Sequence, residues 1–247
     1  MRQPIEIAPG VYGLGSEMIN WYLVEEGGKL SAVDAGLPGF ARDLEAGLAS
    51  LGLKVGDVEA VVLTHSDADH TGIAPRLQAA GARVLIHAAD EAALRKPGPK
   101  GGDASPRHLL ANLWRPAVLK IMRHTLQHGG AKPAKVQGAE RYSAGDVLDV
   151  PGSFRVVHTP GHTAGHCALL SERSRTLFVG DALCAHHLMT GGRGPQVMPR
   201  FLNEDHRQAL ASLDAIAELD ADTDRLLFGH GDPWRQGARQ AVASARG

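Results

Sequence analysis

Thr64-His65-Ser66-Asp67-Ala68-Asp69-His70 packs two imidazoles and two carboxylates into a short run directly after the apolar stretch Val61-Val62-Leu63. Neutral imidazole and carboxylate are the ligand types that bind Zn²⁺, Fe²⁺ and Mn²⁺. A strand delivers its last residues into a loop at the sheet edge, where side chains can converge on one point. Three further segments repeat the pattern. Phe154-Arg-Val-Val-His-Thr-Pro-Gly-His162 is an apolar stretch running into a Pro-Gly turn with a histidine at its tip. Thr176-Leu-Phe-Val-Gly-Asp181 ends in a carboxylate, and Arg225-Leu-Leu-Phe-Gly-His230 ends in an imidazole. A lone His or Asp on a loop is ordinarily a solvated surface group. Four strands that each end in a turn bearing ligand-type side chains point to a metal centre at the rim of a sheet.

These strands need a frame. Residues 11–14, 21–24 and 30–33 read as short strands, the last two separated by the turn Glu25-Glu26-Gly27-Gly28. Residues 39–51 read as a helix with Phe40, Leu44, Leu48 and Leu51 on one face. Residues 73–80 form a second, short helix and 83–86 a strand. A later block of strands follows from Val147, covering 154–157, 167–170 and 176–179. Asn203 or Asp205 can cap a helix reaching about Leu219, with Ala209, Leu213, Ile216 and Leu219 turned inward. Two blocks of strands, each flanked by helices, predict two sheets sandwiched between helices.

The order of these motifs resembles that of the metallo-β-lactamase superfamily: an early Asp, then His-x-His-x-Asp-His, then a His, an Asp and a final His. Asp34 in Ala32-Val33-Asp34-Ala35-Gly36 matches the early Asp, followed by His65, Asp67, Asp69, His70, His162, Asp181 and His230. The resemblance runs from about Val11 to about Trp234. It implies an α+β fold, the αββα four-layer sandwich with two mixed sheets flanked by helices. It also implies two divalent metal ions, one held by His65, Asp67 and His162 and the other by Asp69, His70 and His230, with Asp181 shared. Asp34 is expected to orient part of this shell by hydrogen bonding. One domain over residues 1–247 is expected, with a helical basic insertion at about 92–139.

The run departs from the family pattern at Asp67, where the second motif histidine would stand. The related flavodiiron proteins carry a carboxylate at that position, so ligation by Asp67 is chemically reasonable. An anionic ligand weakens the Lewis acidity of its metal and favours harder ions. Zinc is the expected ion, with manganese or iron admitted by Asp67. The alternative is that Asp67 is too short to reach, leaving one site weak.

Composition sets bounds on function. A hydrophobic content of 43% can fill a core, but with only 4% aromatics Val, Leu and Ala must do most of the packing. A net charge of −1 supplies no global field for nucleic acid or an anionic membrane. No stretch approaches the ~20 apolar residues of a membrane span, and the opening residues Met1-Arg2-Gln3-Pro4 start no apolar signal core. Cys167 and Cys184 do not make a disulfide framework. A cytoplasmic enzyme acting on a small-molecule substrate is expected, with no nucleic-acid or membrane partner; a homodimer is compatible with this reading.

Residues 92–139 interrupt the pattern. Arg95-Lys-Pro-Gly-Pro-Lys-Gly-Gly is loop-like, Ser105-Pro106 reads as a helix start, and Leu109, Leu110, Leu113, Val118, Ile121, Met122 and Leu126 follow at helical spacing, with Pro116 expected to bend the helix. Nine Lys or Arg face one acid, Asp103, between residues 95 and 135. Two readings stand. Either this is a basic helix face packed on the sandwich, or it is a cap whose apolar side (Leu110, Leu113, Trp114, Met122) borders the metal pocket while its basic rim favours an anionic substrate. Of the other histidines, His158 is expected to pack or hydrogen-bond, His166 to be structural, and His186 and His187 to lie on an exposed loop near the site.

The expected chemistry is hydrolysis. Water bound to a divalent metal has its pKa lowered to about 7, so hydroxide can attack a carbonyl without a protein base. Asp69 can accept the nucleophile's proton and pass it toward the leaving group. A small carboxyl ester, lactone or thioester fits; an iron-dependent oxidoreductase of the same fold and a phosphodiesterase are the alternatives. No Gly-x-Ser-x-Gly elbow is present for a serine hydrolase. Lactone-cleaving relatives often carry Tyr where Cys184 stands. With 17 residues after His230, the helical domain that glutathione-thioester hydrolases add is not expected.

Overall fold

Alternation along the strands decides which way each layer faces. In Asn20–Glu26, Trp21 and Leu23 pack on one side of the sheet with Leu44, Leu48 and Leu77, whereas Tyr22 and Val24 pack on the other with Phe154, Phe178 and Leu227. This is the period-two geometry of a strand buried on both faces. A third cluster joins Leu170, Leu177 and Phe228 to Leu213, Ile216 and Val242. The three clusters lie between four layers, helix, sheet, sheet and helix, so the fold is the expected αββα sandwich.

The computed structural model describes residues 3–98 and 100–247, without the side chains of Pro106 and Leu109. Met1, Arg2, Pro99 and the Leu109 side chain, which enter the sequence reading, lie outside the described residues. The strands are β1 (Ile5–Ala8), β2 (Val11–Gly15), β3 (Asn20–Glu26), β4 (Lys29–Val33), β5 (Val58–Val62), β6 (Arg83–His87), β7 (Glu140–Tyr142), β8 (Phe154–His158), β9 (Cys167–Ser171), β10 (Thr176–Gly180), β11 (Cys184–His186), β12 (Arg193–Gln196) and β13 (Arg225–Phe228). The helices are α1 (Ala41–Ser50), α2 (Ala68–Thr71), α3 (Ala74–Ala79), α4 (Glu91–Arg95), α5 (Pro106–Ala111), α6 (Pro116–Gln127), α7 (His206–Glu218) and α8 (Ala238–Arg246). The first sheet runs β1 to β7 in order, antiparallel up to β4 and parallel beyond it; the second has the order β13-β10-β9-β8. Among the described residues no helix is long and apolar enough to cross a membrane.

Strands β4 and β5 are parallel neighbours, so Asp34 and Thr64 emerge side by side. Strands β10 and β13 are also parallel, and β9 runs antiparallel to both β10 and β8, so β8, β10 and β13 point the same way. The ligand-bearing turns therefore share one end of the sandwich, the carboxyl end where α/β sheets bind their ligands.

Two local expectations, on Pro116 and His186, need correction, and of the two caps offered for α7 one is selected. Pro116 does not bend a continuous helix: the segment splits into α5 and α6, with Pro116 at the first turn of α6 and Arg115 extended before it (ψ 127°). The ring removes a backbone donor and pushes the preceding residue out of the helical region, so a new helix starts there. The α7 cap is Asp205, whose side chain accepts from the Gln208 N–H at 2.9 Å. Asn203 serves the metal-type cluster instead. His186 is not on an exposed loop; it is only 8% exposed, at the end of β11.

Candidate metal centre

Four imidazoles converge, and each is held through its Nδ1. The Nδ1–H of His65 faces Thr64 Oγ1 at 2.9 Å, that of His70 faces Asp34 Oδ2 at 2.9 Å, that of His162 faces Asn203 Oδ1 at 3.0 Å, and that of His230 faces the Met18 carbonyl at 2.6 Å. Thr64 donates its hydroxyl to Asp34, so it accepts from His65. A proton held on Nδ1 turns Nε2 of all four rings toward the centre, the nitrogen a metal would take on displacing any second proton.

The Nε2 atoms meet three carboxylates. Asp181 Oδ1 lies 3.5 Å from His70 Nε2, while its Oδ2 lies 3.2 Å from His230 Nε2 and 3.6 Å from His162 Nε2. Asp69 Oδ2 lies 3.6 Å from His230 Nε2 and 4.0 Å from His70 Nε2. Ligand atoms about 2.1 Å from a tetrahedral ion stand roughly 3.4 Å apart, which these spacings match. His65 Nε2, His70 Nε2 and Asp181 Oδ1 are buried without a hydrogen-bond partner. Orphaned buried polar atoms are costly, and a cation among them would satisfy all three. The residues fit a divalent metal.

All seven expected ligands are brought together. His65, Asp67 and His162 form one group, Asp69, His70 and His230 another, and Asp181 reaches both. Asp67 has a second neighbour: its Oδ2 lies 2.6 Å from Lys100 Nζ, 3.0 Å from His162 Nε2 and 3.6 Å from His65 Nε2.

Charge follows this arrangement. Burial alone would raise the Asp181 carboxyl, but His230 and His70 hold it well below the usual range. Burial alone would lower His230, yet Asp181 raises it to about 9; His70 is raised well above its ordinary value by Asp181, Asp34 and Asp69 against the same burial. Burial also works against the charged form of Asp67, but Lys100 outweighs it and holds the carboxyl well below its usual range. Burial, reinforced by Lys100, lowers His162.

Asp90 and Gly229 around the centre were invisible in the sequence pattern, whereas His166 and His158 take the structural and packing roles expected of them. His166, read as structural, accepts the Asp181 N–H on Nε2 at 3.0 Å and bonds Thr159 through Nδ1 at 2.8 Å, so it sets the Asp181 backbone. Buried Asp90 accepts from Ser66 N–H at 3.0 Å, the Thr163 hydroxyl at 2.7 Å and Gly165 N–H at 2.7 Å, tying the His65 and His162 turns together. Gly229 has no side chain for a steric reason: a Cβ there would press on Asp181 Oδ1 and stand 2.5 Å from His70 Cε1. His158 bonds the Ala164 carbonyl at 3.0 Å and stacks on His87, as a packing role requires.

A cavity of about 300 Å³ opens onto Asp67, Asp69, Asp181, His162 and His230. Its walls are Leu188, Met198, Phe201 and Leu202, with Lys100, Ala104 and Ser105 at one side. A second cavity of about 260 Å³ shares Leu188 and Leu202 with it and continues toward Ile121, Met122 and Leu126. The cap reading is thus corrected. Leu110 and Trp114 are 59% and 72% exposed. Met122 lines only the second cavity, and among the described residues Lys100 is the one basic group of the segment on the first. With the helix split at Pro116, Leu110 of α5 stands exposed and lines neither cavity.

The family model described as the metallo-beta-lactamase superfamily matches residues 14–230. The chain belongs to that superfamily, whose members bind divalent metals, typically as a dinuclear zinc centre, and are mostly hydrolases. It is similar to the uncharacterized protein YobT of Bacillus subtilis (strain 168), with 27% identity over 240 residues covering 92% of this chain and 91% of that protein. It is also similar to a hydroxyacylglutathione hydrolase of Cupriavidus taiwanensis, with 34% identity over 208 residues, 82% of this chain but 59% of the hydrolase's length. A metallo-beta-lactamase family protein of Thermus thermophilus superimposes with a TM-score of 0.66 at 27% identity, covering 96% of this chain and 78% of that one.

Proposed function

We propose that this chain is a metal-dependent hydrolase of carboxylic thioesters and esters carrying an apolar acyl group. The observation that carries this reading is the pairing of a polar floor, where Nε2 lone pairs and the Asp69 and Asp181 carboxylates converge, with apolar walls that continue past Leu188 and Leu202. The similarity to a hydroxyacylglutathione hydrolase supports the thioester class. Asp69, His70, His230 and Asp181 would hold a divalent ion, which when bound would lower the pKa of water to about 7 and polarise a carbonyl.

The protein's own residues do the rest. Asp69, 27% exposed toward the cavity and 3.6 Å from His230, takes the proton of the attacking water and delivers it to the leaving thiolate or alkoxide. Asp34, Thr64, Asn203 and the Met18 carbonyl keep each imidazole proton on Nδ1, so no ring can rotate or present the wrong nitrogen. Leu188, Met198 and Phe201 exclude water from the acyl group. The test is a matched panel, an S-acylglutathione, its oxygen ester, a lactone and a β-lactam, assayed with zinc-loaded and chelator-treated protein. Thioester or ester turnover that chelation removes and zinc restores is expected. Metal-loaded protein that turns over no carboxylic substrate overturns the reading.

A further inference from the structure

Lys100 stands beside Asp67 and His162, two of the three residues expected to hold one of the metal ions. Its Nζ is 2.6 Å from Asp67 Oδ2, 3.0 Å from His162 Nε2 and 3.3 Å from the Leu202 carbonyl. An ammonium has three N–H donors and no acceptor, and here each donor has its acceptor. None is left over for a substrate. The side chain is only 16% exposed.

The polarity of these bonds is decided next door. Asn203 Oδ1 takes the Nδ1 proton of His162, so Nε2 carries the lone pair. Asp67 Oδ2 is also an acceptor, and it lies 3.0 Å from that Nε2. With the Nδ1 proton of His162 donated to Asn203, both atoms face the Lys100 ammonium as acceptors, and it can donate to each. The loop behind it is built for the purpose. Asp103 N–H donates to the Glu204 carbonyl at 2.8 Å, Ser105 N–H to the Phe201 carbonyl at 2.9 Å, and the Asp103 carboxylate takes Arg200 at 2.8 Å. Gly102, in the left-handed region at φ +66°, lets the loop press against the Glu204 carbonyl.

We propose that Lys100 is a built-in cation that takes the place of one of the two metal ions, with Asp67 as its counter-ion rather than a metal ligand, so that the chain binds a single divalent ion. Replacing a neutral motif histidine by Asp67 adds one negative charge, and Lys100 brings one positive charge beside it, so the two charges compensate each other. The single ion keeps Asp69, His70, His230 and Asp181. His65 Nε2, which also lies within 4.8 Å of the His70 and Asp181 ligand atoms, completes that side.

This inference rests on the metal-dependent reading, and metal stoichiometry separates the two. Chelator-stripped protein is titrated with zinc and read by calorimetry and native mass spectrometry, without reference to activity. One zinc per wild-type chain and two per Lys100→Met chain are expected, with Lys100→Ala as a second variant and circular dichroism to establish folding. Two zinc ions on the wild type overturn the inference and leave the hydrolase reading intact. No zinc on the wild type overturns both. One zinc on the wild type and still one on a folded Lys100→Met or Lys100→Ala chain also overturns it, because the lysine would then not be what excludes the second ion. Should neither variant fold, the wild-type count of one or two decides.

Discussion

Asp34→Asn is the sharpest test of how the imidazoles are held. Asp34 sits at φ +59°, a left-handed conformation that Asn adopts as readily as Asp, so the backbone is undisturbed. Its carboxylate accepts the Thr64 N–H at 2.8 Å, the Thr64 hydroxyl at 2.9 Å and the His70 Nδ1–H at 2.9 Å. An amide can offer only one acceptor atom. If that oxygen stays on Thr64, the amide NH₂ faces His70 Nδ1, the proton shifts to Nε2, and the nitrogen facing the metal loses its lone pair. Disturbing such an outer partner costs about 10–100-fold in metal affinity, about 1.4–2.7 kcal/mol at 1.36 kcal/mol per decade. If the amide instead turns over, a buried Thr64 N–H is left against a second donor, which costs about 1–3 kcal/mol of stability. Zinc affinity by chelator competition and the melting temperature of the metal-free chain read the two outcomes separately. A variant unchanged in both would refute the role assigned to Asp34.

Other perturbations follow from the same geometry. Gly229→Ala should push Asp181 Oδ1 and His70 aside, so the folded variant should lose bound zinc and hydrolysis together; wild-type zinc content would contradict this. Asp69→Asn should keep more metal than Asp181→Ala yet lose most of the rate; retaining more than about a tenth of wild-type kcat, a loss under 1.36 kcal/mol, would remove Asp69 from proton transfer. In the metal-free chain His230 is raised to about 9 by Asp181. A raised imidazole stabilises the fold fully below its unfolded value near 6.5, and that stabilisation disappears as pH rises through the folded value. The melting temperature of chelator-treated protein should therefore fall as pH rises from about 6.5 through about 9, with His230 alone contributing on the order of 3 kcal/mol of stability. A flat or rising profile over that interval would show that the Asp181–His230 pair contributes nothing.

Residue order alone is enough for the layers and the ligand types. Alternation in β3 and the apolar runs of β5, β10 and β13 can be read locally, because period two dictates which face each residue takes. His65, Asp67, His162, Asp181 and His230 follow strands in turns, and Asp69 and His70 sit in the short helix α2 just past β5, so their convergence was foreseeable from strand ends. What surrounds them was not. Lys100 reaches His162 across 62 residues of chain, Asn203 across 41, and the Met18 carbonyl reaches His230 across 212. A lysine in a Pro-Gly loop, an asparagine ahead of a helix and a backbone carbonyl have no distinctive pattern, because their role comes only from where the chain folds back. The same holds for the insertion: its apolar spacing announced a helix, but the break at Pro116 and the docking of residues 100–105 on 200–206 decided which side met the site. Ligand identity is carried by residue type, whereas the proton, the charge and the number of cations at the centre depend on contacts between distant segments, which exist only once the chain has folded.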